Sequence, residues 1–229
     1  MIFTWNIADP DGGLAKEELV VGFDRGRPVR VLVLPAWFDE ANKLRRFTVE
    51  VMRRLDSGGI DSLLPDLPGC NESLEPLEQQ TLGRWRKAAK AAAEALGATH
   101  VLGIRAGALL APDGLPGWHY AAQSGPKLLR GMIRARTIAA REAEKFETYE
   151  GLTALGRVAG LSLSGWSLGP AIVSELETAE PALAPGQSDI AQSILGAPGL
   201  WLRAEPDEDA GQADRLGGMI VQSLAETAR

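Results

Sequence analysis

In the first half of the chain, short apolar runs alternate with segments in which apolar residues recur every three to four positions. The run at 29–34 is apolar and rich in β-branched residues, which predicts a buried strand, and two further strands are predicted at 60–64 and 99–104. The helical spacing predicts amphipathic helices at 41–55 and 79–96. Strands that alternate with helices at this spacing form a parallel sheet with right-handed crossovers. The pattern therefore predicts an α/β fold, with a mainly parallel sheet flanked by helices.

The rest of the chain extends this prediction with less regular elements. Segments 2–7 and 18–23 predict an antiparallel hairpin at the sheet edge, joined by a turn at 9–13. Residues 117–120 are interpreted as a loop. The remaining predicted elements are helices at 128–146, 170–178 and 209–228 and strands at 157–164 and 199–203.

Composition places the chain among ordinary globular proteins and excludes several classes. Its 229 residues are 45% hydrophobic and 24% charged, and no repeat divides them, so we expect one domain over 1–229. The net charge of −6 has the wrong sign for a general nucleic-acid binder. One cysteine and two histidines predict no internal disulfide, no metal site and no cofactor. No stretch has the length of a membrane span or a signal peptide, so we expect a cytoplasmic protein.

The sharpest predicted junction between a strand and a helix is at residues 103–107. Gly103 and Gly107 lie two residues either side of Arg105, which is the spacing of a nucleophile elbow. A small-residue helix is predicted to follow at 106–111. However, a guanidinium is not a nucleophile and stays protonated in proteins. The segment therefore has the frame of a catalytic turn without its usual serine, cysteine or aspartate.

Several segments resemble a known family. They are 38–46 (FDEANKLRR), 66–73 (DLPGCNES) and 102–111 (LGIRAGALLA), with weaker support from 123–127 (QSGPK) and 158–164 (VAGLSLS). Over roughly residues 30–180, the chain resembles the second type of exosortase A system-associated hydrolases. This family of the α/β-hydrolase superfamily accompanies an export and polysaccharide system in bacteria.

The resemblance implies an α/β-hydrolase-like fold and an arginine at the elbow as a family trait, here Arg105. The chain departs from the family at Pro35, Ala36 and Trp37, where relatives tend to carry a histidine–proline pair. Because one fold supports many functions, the family's hydrolase name does not by itself establish hydrolysis.

A serine or cysteine esterase or thioesterase is the alternative function. Residues 165–169 (GWSLG) match G-x-S-x-G around Ser167, and Cys70 lies in a turn after a predicted strand. The base would be His119, in a predicted loop, rather than His100, in a predicted buried strand, and no histidine follows His119. The usual chain order of serine, acid and histidine therefore does not occur, although a triad is defined by geometry rather than by order.

Arg105 needs a partner, because an unpaired guanidinium is costly to bury. Two arrangements are open. In the first, Arg105 forms an internal ion pair with Asp39, Glu40 or Asp66, which fills a former active site. In the second, it binds an anionic small molecule. The additional cations of that anion site would be Lys43, Arg45 or Arg46.

A basic segment follows the elbow region. Residues 127–145 hold six basic and two acidic residues, in contrast to the acidic chain as a whole. We expect 127–150 to form a small helical lid. Its charge suits an anionic substrate, an acidic protein partner or contact with an anionic membrane surface, whereas a solvated helix face is the simpler alternative. The sequence predicts no particular oligomeric state.

Overall fold

A computed structural model describes residues 1–7 and 16–227. The described strands form a seven-stranded sheet in the order β1-β2-β4-β3-β5-β6-β9 and a separate hairpin of β7 and β8. The strands are β1 (Ile2–Ile7), β2 (Lys16–Phe23), β3 (Arg30–Leu34), β4 (Asp61–Pro65), β5 (His100–Ile104), β6 (Gly117–Tyr120), β7 (Leu161–Leu163), β8 (Trp166–Leu168) and β9 (Gln187–Ile190).

The sheet is antiparallel at one edge and parallel elsewhere. β1 pairs with β2, and β2 with β4, in antiparallel register, which confirms the predicted hairpin at the sheet edge. Its predicted turn at 9–13 lies outside the described residues. β4, β3, β5, β6 and β9 then run parallel to one another. The fold class is therefore α/β with a mainly parallel sheet, as predicted.

Helices cover both faces of the sheet. They are α1 (Asp39–Ser57), α2 (Leu82–Ala95), α3 (Gly125–Glu142), α4 (Tyr149–Ala159), α5 (Pro170–Leu176) and α6 (Ala210–Thr227). α1 and α6 contribute to one apolar core, whereas α2, α3 and α5 contribute to the other. Alternate residues of β3 enter the two cores, with Val31 and Val33 in one and Leu32 and Leu34 in the other. Burial on both faces explains why the strand is continuously apolar.

The structure corrects several predicted elements. The strand predicted at 157–164 is wrong: α4 continues to Ala159, and Gly160 ends it with φ of 77° before the short β7. The strand predicted at 199–203 is a 3₁₀ turn over Leu200–Leu202. The helix predicted at 106–111 is a 3₁₀ turn over Arg105–Leu110. The loop predicted at 117–120 is the parallel strand β6.

In the described part of the chain, no helix combines the length and the apolar character needed to cross a lipid bilayer.

Candidate functional site

The junction after β5 has the backbone geometry of an elbow. Arg105 has φ of 54°, a left-handed conformation that costs energy for a residue with a side chain. A Cβ on Gly103 would lie 2.7 Å from Cα of Ala108, and one on Gly107 would lie 2.2 Å from the carbonyl oxygen of Leu34. Both positions therefore require glycine, and the turn predicted from the glycine spacing is present.

The Arg105 side chain at the centre of this turn has partners on every side. Its Nε and Nη2 donate to the two carboxylate oxygens of Glu40, at 2.8 and 2.9 Å. Nη1 donates to the carbonyl oxygen of Ala121 at 2.8 Å. The guanidinium carbon lies 3.9 Å from the ring centroid of Trp201. A two-bond ion pair and a cation–π contact together hold the guanidinium in one orientation.

The fold explains why these groups meet. Glu40 lies in the first turn of α1, which begins shortly after β3, and Ala121 directly follows β6. β3, β5 and β6 are neighbouring parallel strands, so their carboxyl ends share one edge of the sheet. The N-terminal end of α1 also favours a carboxylate.

Burial makes the pair important for stability. The side chains of Arg105 and Glu40 are only 11% and 16% exposed. A guanidinium with so little contact with water is tolerated because each of its three nitrogens donates to a protein oxygen.

Of the other five residues predicted to form a ligand site with Arg105, only Glu40 bonds to it in the structure. Asp39 pairs with Lys43 at 2.9 Å, and Arg46 pairs with Glu208 at 2.5 Å. The remaining one, Asp66, accepts from Asn71 Nδ2 at 2.7 Å and from the backbone N–H of Glu72 at 3.3 Å. Burial raises the pKa of Asp66.

Cys70 has the electrostatic environment of an inert thiol. Burial, with further contributions from the carboxylates of Asp66 and Glu18, raises the pKa of Cys70 to about 12. A catalytic cysteine needs the opposite shift, because the thiolate is the nucleophile.

Ser167 lies in an exposed hairpin rather than at the end of a sheet strand. It is in β8 and faces Ser162 of β7 in antiparallel register. The left-handed residues of this hairpin are Ser164 and Gly165, in the turn before β8. The G-x-S-x-G match therefore does not form a nucleophile elbow.

His119 lies inside the main sheet. It is 1% exposed in β6, between Gly103 of β5 and Asp189 of β9. Burial lowers its pKa. In the described part of the chain, no hydrogen bond joins His119 to Ser167 or Cys70, so the pairs predicted for an esterase are not assembled.

Two groups that contact Arg105 are not predicted by the sequence. Trp201 lies in the segment predicted as a strand, and a strand assignment does not place its ring over the elbow. The carbonyl group of Ala121 belongs to the backbone and has no side-chain signal. Within residues 1–7 and 16–227, no cluster of histidine, cysteine, aspartate or glutamate has the arrangement of a metal site.

Comparisons with solved structures show the class of fold. Mouse alpha/beta hydrolase domain-containing protein 10 is similar with a TM-score of 0.55 and 11% identity, over 99% of this chain and 100% of that one. The bottromycin epimerase BotH, solved with bottromycin A2, has a TM-score of 0.54 and 17% identity, over 96% and 99%. A thermophilic esterase from Thermogutta terrifontis has a TM-score of 0.52 and 11% identity, over 99% and 98%. The chain has the α/β-hydrolase fold.

No family model matches the chain, and the search of curated proteins gives no match. At these identities, the structural similarities establish the fold and not an activity.

Proposed function

We propose that this is a non-catalytic protein of the α/β-hydrolase fold, which works in the cytoplasm by binding a partner. The observation that carries the proposal is the ion pair of Arg105 and Glu40 at the elbow. The elbow side chain of a serine hydrolase attacks the substrate and is activated by a histidine base. Here that side chain is a cation held by a carboxylate, a carbonyl oxygen and an indole ring.

The same contacts argue against a small anion bound at Arg105. Glu40 already accepts hydrogen bonds from two of its nitrogens, so an anion would have to displace a buried carboxylate. The neighbouring cations Lys43 and Arg46 are also engaged by carboxylates. We therefore propose that the ion pair of Arg105 and Glu40 fills the elbow site and that no small anion binds there.

The biological setting in this proposal rests on the resemblance of three segments to the exosortase-associated family. The setting we propose is a bacterial export and polysaccharide system. A structural neighbour named as an epimerase supports the view that the fold is not tied to hydrolysis.

The experiment is a test for any hydrolytic activity. The purified protein is assayed with p-nitrophenyl esters and acyl thioesters, and it is labelled with a fluorophosphonate probe followed by peptide mass spectrometry. Ser167→Ala and Cys70→Ala serve as matched variants, and a known serine hydrolase serves as the positive control. We expect no turnover above buffer and no labelled serine.

Specific labelling of Ser167 in the folded protein, with turnover that Ser167→Ala abolishes, contradicts the proposal. Turnover that only Cys70→Ala abolishes contradicts it as well. Arg105→Ser is expected to give no hydrolysis, because no histidine side chain bonds to the elbow residue in the described part of the chain.

A further inference from the structure

One face of α3 carries a row of exposed cations. The opposite face packs into the core through five buried residues: Leu128, Leu129, Met132, Ile133 and Ala140. The exposed row consists of Lys127, Arg130, Arg134, Ile138 and Arg141, which we call the basic stripe. Their spacings of three, four, four and three positions place them on one side of the helix. The row extends about 21 Å along the helix axis, at 1.5 Å per residue.

Ion pairing distinguishes the cations of the basic stripe from neighbouring arginines. Within residues 1–7 and 16–227, none of its four cations forms an ion pair. Other arginines of the same region do so: Arg136 pairs with Glu147 at 2.5 Å, and Arg157 with Glu177 at 2.8 Å. A straight row of free cations on a chain of net charge −6 is therefore a local feature that calls for an anionic partner.

Exposed apolar side chains lie within the stripe and in the segments that follow α3. Ile138, inside the stripe, is 51% exposed, and Phe146, just beyond the end of α3, is 93% exposed. Val158 of α4, a helix that contacts α3, is 82% exposed. Single exposed apolar side chains are common on soluble proteins, so it is their occurrence together with a row of unpaired cations that indicates a partner.

Cations mixed with exposed apolar side chains favour a lipid surface over an acidic protein. An acidic protein partner would neutralise the charges, but it would also need an apolar pocket at the position of Phe146. The surface of an anionic bilayer supplies phosphate headgroups for lysine and arginine, and acyl chains just beneath them.

We propose that the basic stripe and Phe146 dock the protein on an anionic lipid bilayer. The helix axis of α3 lies along the membrane plane, the stripe faces the phosphates, and Phe146 enters the layer between headgroups and acyl chains. This docking does not depend on whether the elbow is catalytic.

The test is co-sedimentation of the full chain with vesicles. Vesicles of phosphatidylcholine alone are compared with vesicles that also contain phosphatidylglycerol, at low and high salt. We expect binding only to the anionic vesicles and weaker binding at high salt, because salt screens the charges. Each cation near an anionic surface contributes about fivefold to binding, so Arg130→Gln with Arg134→Gln is expected to lower the partition coefficient about 25-fold.

A charge-matched variant controls for the loss of two positive charges as such. Lys87→Gln with Lys90→Gln removes two exposed lysines from α2. It is expected to leave vesicle binding nearly unchanged. Phe146→Ser is expected to weaken binding about tenfold, including at high salt, since burial of a phenyl ring is an apolar effect. Leu74→Ser, at a residue that is 98% exposed elsewhere, is its control and is expected to have no effect.

Three results overturn the proposal. The first is equal binding to both kinds of vesicle, or to neither. The second is an equal loss of binding in the α2 and α3 charge variants. The third is binding to polyglutamate without binding to anionic vesicles, which would identify an acidic protein partner instead. All substituted side chains are exposed, and circular dichroism confirms that each variant is folded.

Discussion

Segments 103–107 and 165–169 both place glycine two residues before and after a central side chain, but they differ in backbone, burial and partners. In the first, Arg105 is left-handed, 11% exposed and bonded to Glu40. In the second, Ser167 lies in a hairpin strand and faces solvent. Residues 165–169 therefore contain the serine but not the geometry of a catalytic turn, whereas residues 103–107 have that geometry with an arginine at the centre.

The difference shows that a nucleophile elbow is defined by the strand it ends and by what its glycines approach. Gly107 lies against the backbone after β3, where a Cβ would meet the carbonyl oxygens of Leu34 and Pro35 at 2.2 and 2.5 Å. Gly165 has φ of 86°, and a Cβ there would have no neighbouring atom within 4 Å, so this glycine serves the turn alone. Gly169 is crowded, since a Cβ there would lie 1.9 Å from the carbonyl oxygen of Glu78, but it precedes α5 and does not pack against a strand of the main sheet. The glycine spacing is shared, but the surroundings are not.

The largest expected effect is a difference in stability between alanine variants of Gly107 and Gly165. Gly107→Ala should destabilise the fold by about 3 kcal/mol or more, because backbone atoms cannot move aside for the new methyl group. Gly165→Ala should cost only about 1 kcal/mol, which is the strain of the left-handed conformation. Urea denaturation measures both free energies of unfolding, and equal losses would show that the two turns are equivalent.

The second prediction concerns the ion pair. Glu40→Ala should cost about 3 kcal/mol, because it leaves the guanidinium of Arg105 buried without its carboxylate. Asp39→Ala is the matched control at the adjacent position. It removes an exposed partner of Lys43 and should cost less than about 1 kcal/mol. If the two variants have the same midpoint in urea, the pair at the elbow is not a stabilising feature.

A smaller effect is expected from the indole over the elbow. Trp201→Leu keeps an apolar side chain but removes the cation–π contact with Arg105, which should cost about 1 kcal/mol. The same substitution in an Arg105→Ala background should cost less, and thermal unfolding of the four proteins measures this difference. An identical cost in both backgrounds would mean that the ring does not interact with the guanidinium.

The smallest effect is expected in the hairpin. Ser167 is exposed and has no side-chain hydrogen bond within the described residues, so Ser167→Ala should change the free energy of unfolding by less than about 0.5 kcal/mol. A loss comparable to that of Glu40→Ala would show that Ser167 has structural partners which the fold does not explain.

The parts of the fold that the sequence predicts are those with strong apolar patterns. The runs of β3 and β5 are largely apolar because both faces of these strands are buried, whereas β4 also buries Asp61 and Ser62. The predicted inward side of α1 is also correct, since Leu44, Phe47, Val51 and Leu55 are all buried.

The missed elements have weak or shared patterns. β9 (Gln187–Ile190) is an edge strand with one buried residue, so no alternation marks it. The apolar residues around Gly160 are divided between the end of α4 and β7, and their continuous pattern therefore predicts one strand where the structure has two elements.

The candidate site also has features that the sequence predicts and features that it does not. The elbow was predictable, because glycine spacing after a strand reports close backbone approach. The sequence could not predict that Arg105 pairs with Glu40 rather than with Asp39 or Asp66. This choice depends on the rotation of α1 and on the turn that binds Asp66. The ring of Trp201 reaches the elbow only through the tertiary path of residues 191–209.

A double-mutant cycle on Arg105 and Glu40 tests the central claim most directly. The free energies of unfolding of wild type, Arg105→Ala, Glu40→Ala and the double variant give the coupling energy, and the same cycle on Asp39 and Lys43 gives the value for an exposed pair. If the buried ion pair fills the elbow site, we expect a coupling energy of about 2 kcal/mol between Arg105 and Glu40. For the exposed pair we expect about 0.5 kcal/mol or less. A coupling at the elbow no larger than that of the exposed pair would contradict the account.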